Sequence, residues 1–212
     1  MHTPEKSKTM KLRQIFIAIM NELVYARQAK DLRLMNTPDD SGMLPLHKAL
    51  RNNVRLGSIK LLVRGNPSAI RSFDDNGVIP LHVACQYHNS ACVVQYLLDL
   101  NTAILKAVDY DNNTALHYAC RGAKYDNVAL LLEKYDAVSV SKRNAQKKLP
   151  IDLLWENDQV NRDSVEYTET IFRLLKAHPE TLRDVGSTDV QPASAARSGE
   201  SGIRKKRKYG DD

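Results

Sequence analysis

A chain of 212 residues with 42% hydrophobic residues holds enough apolar material for a folded core, and its three cysteines form no C-x-x-C pair. An odd cysteine count without metal-type spacing argues against a disulfide framework and points to a reducing, intracellular compartment. The net charge of +6 suggests nucleic acid until it is divided: residues 1–34 carry seven Lys/Arg against three Asp/Glu, residues 185–212 six against four, and the central 35–184 eighteen of each. A balanced body lacks the clustered positive charge of a phosphate-tracking groove, so direct nucleic-acid binding is not expected.

At the N-terminus, "MHTPEKSKTMKLRQ" is followed by the short apolar run "IFIAIM". This run lacks a small-residue cleavage site and is far too short to span a bilayer, so no secretory signal or membrane span is expected. Residues 11–34 carry Leu12, Ile15, Ile19 and Leu23 at helical spacing without Gly or Pro. Residues 1–36 therefore read as a helical N-terminal flank that caps whatever follows, with an amphipathic membrane-surface helix as the alternative.

The next 150 residues repeat. "GMLPLHKAL" begins at Gly42, "GVIPLHVAC" at Gly77, "NNTALHYAC" at Asn112 and "KKLPIDLLW" at Lys147, each 35 residues after the last. A polar turn precedes each copy ("PDDSG", "FDDNG", "DYDNN", "RNAQK"), and a second apolar run follows each of the first three ("SIKLLVRG", "VVQYLLDL", "VALLLEKY"). In the second copy Leu81, Ala84 and Cys85 share one helical face, and Pro80 suits a first helical position. Val93, Val94, Leu97 and Leu98 give a second short helix, while Asp74-Asp75-Asn76-Gly77 is tight-turn chemistry with Gly77 free to take a positive φ. Each unit is turn, helix, loop, helix, and neither helix is long enough to stand without its neighbours.

Three histidines, His47, His82 and His117, recur at the same interval and suggest a metal ladder. Equivalent residues in a stack lie about 8–10 Å apart, whereas zinc needs nitrogens about 2 Å from one ion, so these histidines cannot share one. Cys85 and Cys120 occupy a slot held by Leu50 and Trp155 in the other copies, which makes it a packing slot. Cys92 opens a second helix. No phosphate loop, G-x-S-x-G or H-E-x-x-H is present, so no catalytic residue, cofactor or small-molecule substrate is expected.

The repeat resembles the ankyrin family, whose motif reads T-P-L-H-x-A. The match is carried by Pro45-Leu46-His47 with Ala49, Pro80-Leu81-His82 with Ala84, and Thr114 with Leu116-His117 and Ala119. The resemblance implies an all-α solenoid of stacked helix-turn-helix units with short hairpin tips over residues 37–184, with repeats at about 40–73, 75–108, 110–143 and 145–183. It also implies that the motif histidine bonds backbone at the turn between units. Thr114 is the one surviving motif threonine, so a Thr–His hydrogen bond is expected in that copy alone. The third copy shifts its second helix by one residue. The fourth reads Pro150-Ile151-Asp152 and inserts a polar stretch, residues 156–169, before "TIFRLLKAH", as a divergent end unit should.

Function is then expected on the concave face that this family uses to bind partner proteins. Its tips supply Asp75, Asn76, Tyr110, Asp111, Lys147 and Lys148. The exposed side of the first helices supplies Lys48, Arg51, Val83 and Gln86, and also Tyr87, Tyr118 and Arg121. Tyr87, Tyr110, Tyr118 and Arg121 span adjacent units and form the expected contact centre, since Tyr and Arg dominate interface hot spots. From residue 185 the chain is Ser/Gly/Ala-rich and is expected to be disordered. It carries Arg204, Lys205, Lys206, Arg207 and Lys208, which resemble a nuclear-import signal read by an import receptor.

The expected function is that of a non-catalytic, monomeric adaptor, cytoplasmic or nuclear, that binds a protein partner. The alternatives are a nuclear regulatory factor imported through Arg204–Lys208, and a metal- or cysteine-dependent enzyme subunit.

Overall fold

The computed structural model describes residues 35–135, 140–177 and 179. The expected N-terminal helical cap and the basic tail lie outside the described residues. Eight α-helices run through the described part: α1 (Pro45–Arg51), α2 (Leu56–Gly65), α3 (Pro80–Tyr87), α4 (Ala91–Leu100), α5 (Ala115–Arg121), α6 (Tyr125–Lys134), α7 (Pro150–Trp155) and α8 (Val165–Ala177). Short 3-10 turns, Pro67–Arg71 and Thr102–Lys106, close the first two units. The odd-numbered helices stack on one another in sequence, as do the even-numbered ones, and no strand occurs among the described residues.

The tips show why the turns have this chemistry. At the 35-residue interval, Asp39, Asp74 and Asp109 each accept the backbone N–H groups two and four residues ahead, at 2.7–3.0 Å. Asn144 takes the same place in the fourth copy and accepts from Lys148 N at 2.9 Å. One position in every tip lies in the left-handed region: Gly42 at φ 73°, Gly77 at 75°, Asn112 at 60° and Lys147 at 61°. Adjacent tips are joined by single backbone bonds, Asp75 N to Ser41 O, Tyr110 N to Asn76 O and Ala145 N to Asp111 O.

Each first helix starts on a residue whose N–H needs an acceptor, and in three copies that residue is apolar: Leu44, Ile79 and Leu149. The side chain three positions on supplies the acceptor. Nδ1 of His47, His82 and His117 takes the N–H of Leu44, Ile79 and Thr114 at 3.2–3.4 Å, and Asp152 takes that of Leu149 at 2.7 Å. The other ring nitrogen donates onward, from His47 to Val78 O and from His117 to Lys148 O in the next unit, and from His82 to Ala107 O at the end of its own unit, at 3.1–3.2 Å. An aspartate accepts but cannot donate, so the run of ties stops at Asp152. Thr114 Oγ1 lies 2.9 Å from His117 Nδ1, the side-chain bond between motif threonine and motif histidine that this copy alone can make.

Leu50, Cys85 and Cys120 are fully buried in equivalent places, and Val93, Val94, Leu97 and Leu98 all face the core. Helix α6 starts 34 residues after α4, one short of the regular interval, so the third unit carries the expected shift. The fourth unit differs from expectation. Residues 165–169, read as the end of a polar insertion, are the first turn of α8, and Ser164 Oγ accepts the N–H of Tyr167 at 3.2 Å. A serine N-cap overrides the polar composition there.

Candidate functional site

Tips and first helices face one another across an open groove of about 540 Å³ that spans the first three units. Of the expected contact residues, it gathers Arg51, Asn76, Gln86, Tyr87, Tyr110, Asp111 and Arg121, together with Val83 and Tyr118. Lys48, Asp75, Lys147 and Lys148 do not line it. Lys48 is held by Asp39 at 2.9 Å and Lys148 by Glu156 at 2.7 Å, both away from the groove lining.

Two expected residues are not on the exposed side at all. Val83 and Tyr118 are only 5% and 7% exposed. The Tyr118 ring lies flat on His82, with centroids 4.9 Å apart and 7° between planes, and its hydroxyl donates to Asp109 Oδ2 at 2.6 Å. Burial and the adjacent carboxylate push its phenol well above the ordinary tyrosine range. Tyr118 is therefore part of the floor. Tyr110 is 75% exposed and Tyr87 39% exposed, so these are the aromatic surfaces within reach of a visitor. Arg51 sits 5.5 Å from the Tyr87 ring centre and Arg121 5.3 Å from that of Tyr118, so both guanidinium groups are oriented by aromatic faces.

Asp74, Asp109 and Asn113 also line the groove and were not among the expected contact residues. The signal was the 35-residue spacing of the tip aspartates. Asp109 is saturated: besides Tyr118 it accepts from Asp111 N, Asn113 N and Asn113 Nδ2. It organises the groove wall and leaves the exposed side chain of Asp111 to face solvent.

The histidines and buried thiols are arranged for architecture. Burial pushes His82 and His117 down to about 4 and lowers His47 and His88 as well, so these rings are neutral near pH 7. In each motif histidine both ring nitrogens are taken by backbone groups. Burial raises the Cys85 and Cys120 thiols far above the thiolate range, while Cys92 is exposed. No group of three or more His, Cys, Asp or Glu placed to hold a metal occurs among the described residues.

Residues 46–144 match the family model for ankyrin repeats, in three copies. These residues are ankyrin repeats. A search of the curated proteins finds no match to it. Ankyrin repeats generally mediate protein–protein interaction, and they do so as modules that are typically non-enzymatic. The ankyrin stack here is all-helical over its described residues, and none of those helices is long and apolar enough to cross a membrane. Helices α7 and α8 extend the ankyrin stack beyond the matched residues.

Proposed function

We propose that this chain is a non-catalytic adaptor that captures a partner protein in the groove between its ankyrin tips and first helices. The observation that carries the reading is the gathering of exposed Tyr87 and Tyr110 with Arg51 and Arg121 in one groove across three units. Large, stiff aromatic surfaces and pre-oriented guanidinium groups are the residue types that concentrate binding energy, because little side-chain entropy is lost when they are covered. The test compares proteins recovered by the wild-type chain, by a Tyr87→Ala/Tyr110→Ala variant and by a control altered at Lys60 and Tyr96 on the second helices. Loss of a partner from the groove variant alone supports the reading. Equal recovery by all three removes it.

A second reading, the import of this adaptor into the nucleus, rests on five consecutive cations, Arg204 to Lys208. Deleting them from a fluorescent fusion should abolish nuclear accumulation, and an unchanged distribution excludes the signal. The enzyme-subunit alternative is disfavoured by the commitment of His47, His82 and His117 to backbone and by the raised thiols of Cys85 and Cys120.

A further inference from the structure

Charge is uneven along the row of tips. The first three tips carry Asp39 and Asp40, Asp74 and Asp75, and Asp109 and Asp111, whereas the fourth carries Lys142, Arg143, Lys147 and Lys148. Of the acidic set, Asp40, Asp75 and Asp111 are exposed, and Tyr110 stands beside them with most of its ring uncovered. The cations of the opposite wall, Arg51 and Arg121, are held over tyrosine rings. The three acidic tips and Tyr110 therefore form a surface for an extended, cationic segment, whose charges face carboxylates and whose guanidinium or ammonium groups can lie on an aromatic face.

We propose that the occupant is the chain's own segment Arg204–Lys208, docked across the first three tips. Three quantities support the fit. Five extended residues span about 17 Å, and three successive tips span two stack steps of roughly 8–10 Å each. The 26 residues between Ala177 and Arg204 reach up to about 90 Å when extended, several times the length of the stack. Exposed ion pairs are individually weak, on the order of 1 kcal/mol or less, but a tether holds the segment at millimolar effective concentration. The basic fourth tip repels the segment and so fixes which tips it occupies. Docking covers the cations that an import receptor would read and places them on the rim that a partner would use. The inference requires neither of those readings.

Zero-length carbodiimide coupling of Lys205, Lys206 and Lys208 to carboxylates in the full-length chain, read by mass spectrometry, tests it. The expected result is intrachain coupling to Asp75 and Asp111 about fivefold or more above coupling to Asp99 and Glu133 on the second helices, lost in about 1 M salt, where screening acts within 3 Å. Even coupling over all exposed carboxylates overturns the proposal, and so does coupling found only between two chains. Partner recovery is read separately, so failure here leaves the adaptor reading standing.

Discussion

Tyr118 donates its hydroxyl to Asp109 Oδ2 at 2.6 Å while its ring lies on His82, the residue of the second unit that bonds the backbone at Ala107, just before the third tip. One side chain of the third unit thus joins a tip carboxylate, the motif histidine of the unit before it and the floor of the groove. Tyr118→Phe keeps the ring and removes the hydroxyl, leaving Asp109 short of one donor. A hydrogen bond to a charged group contributes roughly 1.5–3 kcal/mol, so the urea midpoint should fall by that equivalent. Tyr118→Ala should cost more, about 3–5 kcal/mol. A Phe variant as stable as wild type would show that the contact is incidental.

Stability should fall with acid. His82 and His117 are held near 4 in the fold against 6.5 for the ordinary group, so the unfolded chain binds more protons between these values. Stability is fully present above about pH 6.5 and is lost as pH falls towards 4. The loss is on the order of 3 kcal/mol per histidine. Lowered values at His47 and His88 act in the same direction. Urea midpoints at pH 7.5 and pH 5 check this, and midpoints that rise on acidification would refute it.

The left-handed tip position predicts opposite effects at two sites. Lys147 holds φ 61° with a side chain, a conformation that costs roughly 1–2 kcal/mol. Lys147→Gly relieves that cost but frees the unfolded chain by about 0.5–1 kcal/mol. The net expectation is a gain of up to about 1 kcal/mol. Gly77→Ala should destabilise, because the added Cβ would lie 2.7 Å from the Tyr110 ring as well as at φ 75°.

Gly122 isolates a purely steric demand. Its φ of −83° suits any residue, yet a Cβ there would lie 2.1 Å from Gln86 O, where α5 passes α3. Gly122→Ala should therefore cost about 1–3 kcal/mol in thermal or urea unfolding. A neutral result would mean that the two helices separate freely.

Much of the fold was legible because a fixed interval needs no structure to be seen. The spacing put His47, His82 and His117 in equivalent places, the ankyrin resemblance implied that they bond backbone at the turns, and the turn residues placed the tips. What the interval could not convey was the partner of a particular side chain. Tyr118 stands where Lys48 and Val83 stand in the copies before it, and position alone assigned it to the exposed side. Its hydroxyl found Asp109, nine residues upstream across a turn, and the ring followed inward. Val83 was misplaced for the same reason, since a slot shared with a lysine does not fix burial. The start of α8 was hidden by polar residues whose cap, Ser164, outweighed their composition.

The central claim is that the motif histidines hold the stack while the residues between them bind. The measurement that tests it most directly is the amount of partner recovered per folded molecule for two variants, His82→Ala and Arg51→Ala/Tyr87→Ala/Tyr110→Ala/Arg121→Ala. The account predicts that His82→Ala lowers the urea midpoint, yet its folded fraction still recovers the partner. The quadruple variant should keep nearly the wild-type midpoint and recover none. Full recovery of the partner by the quadruple variant would contradict it.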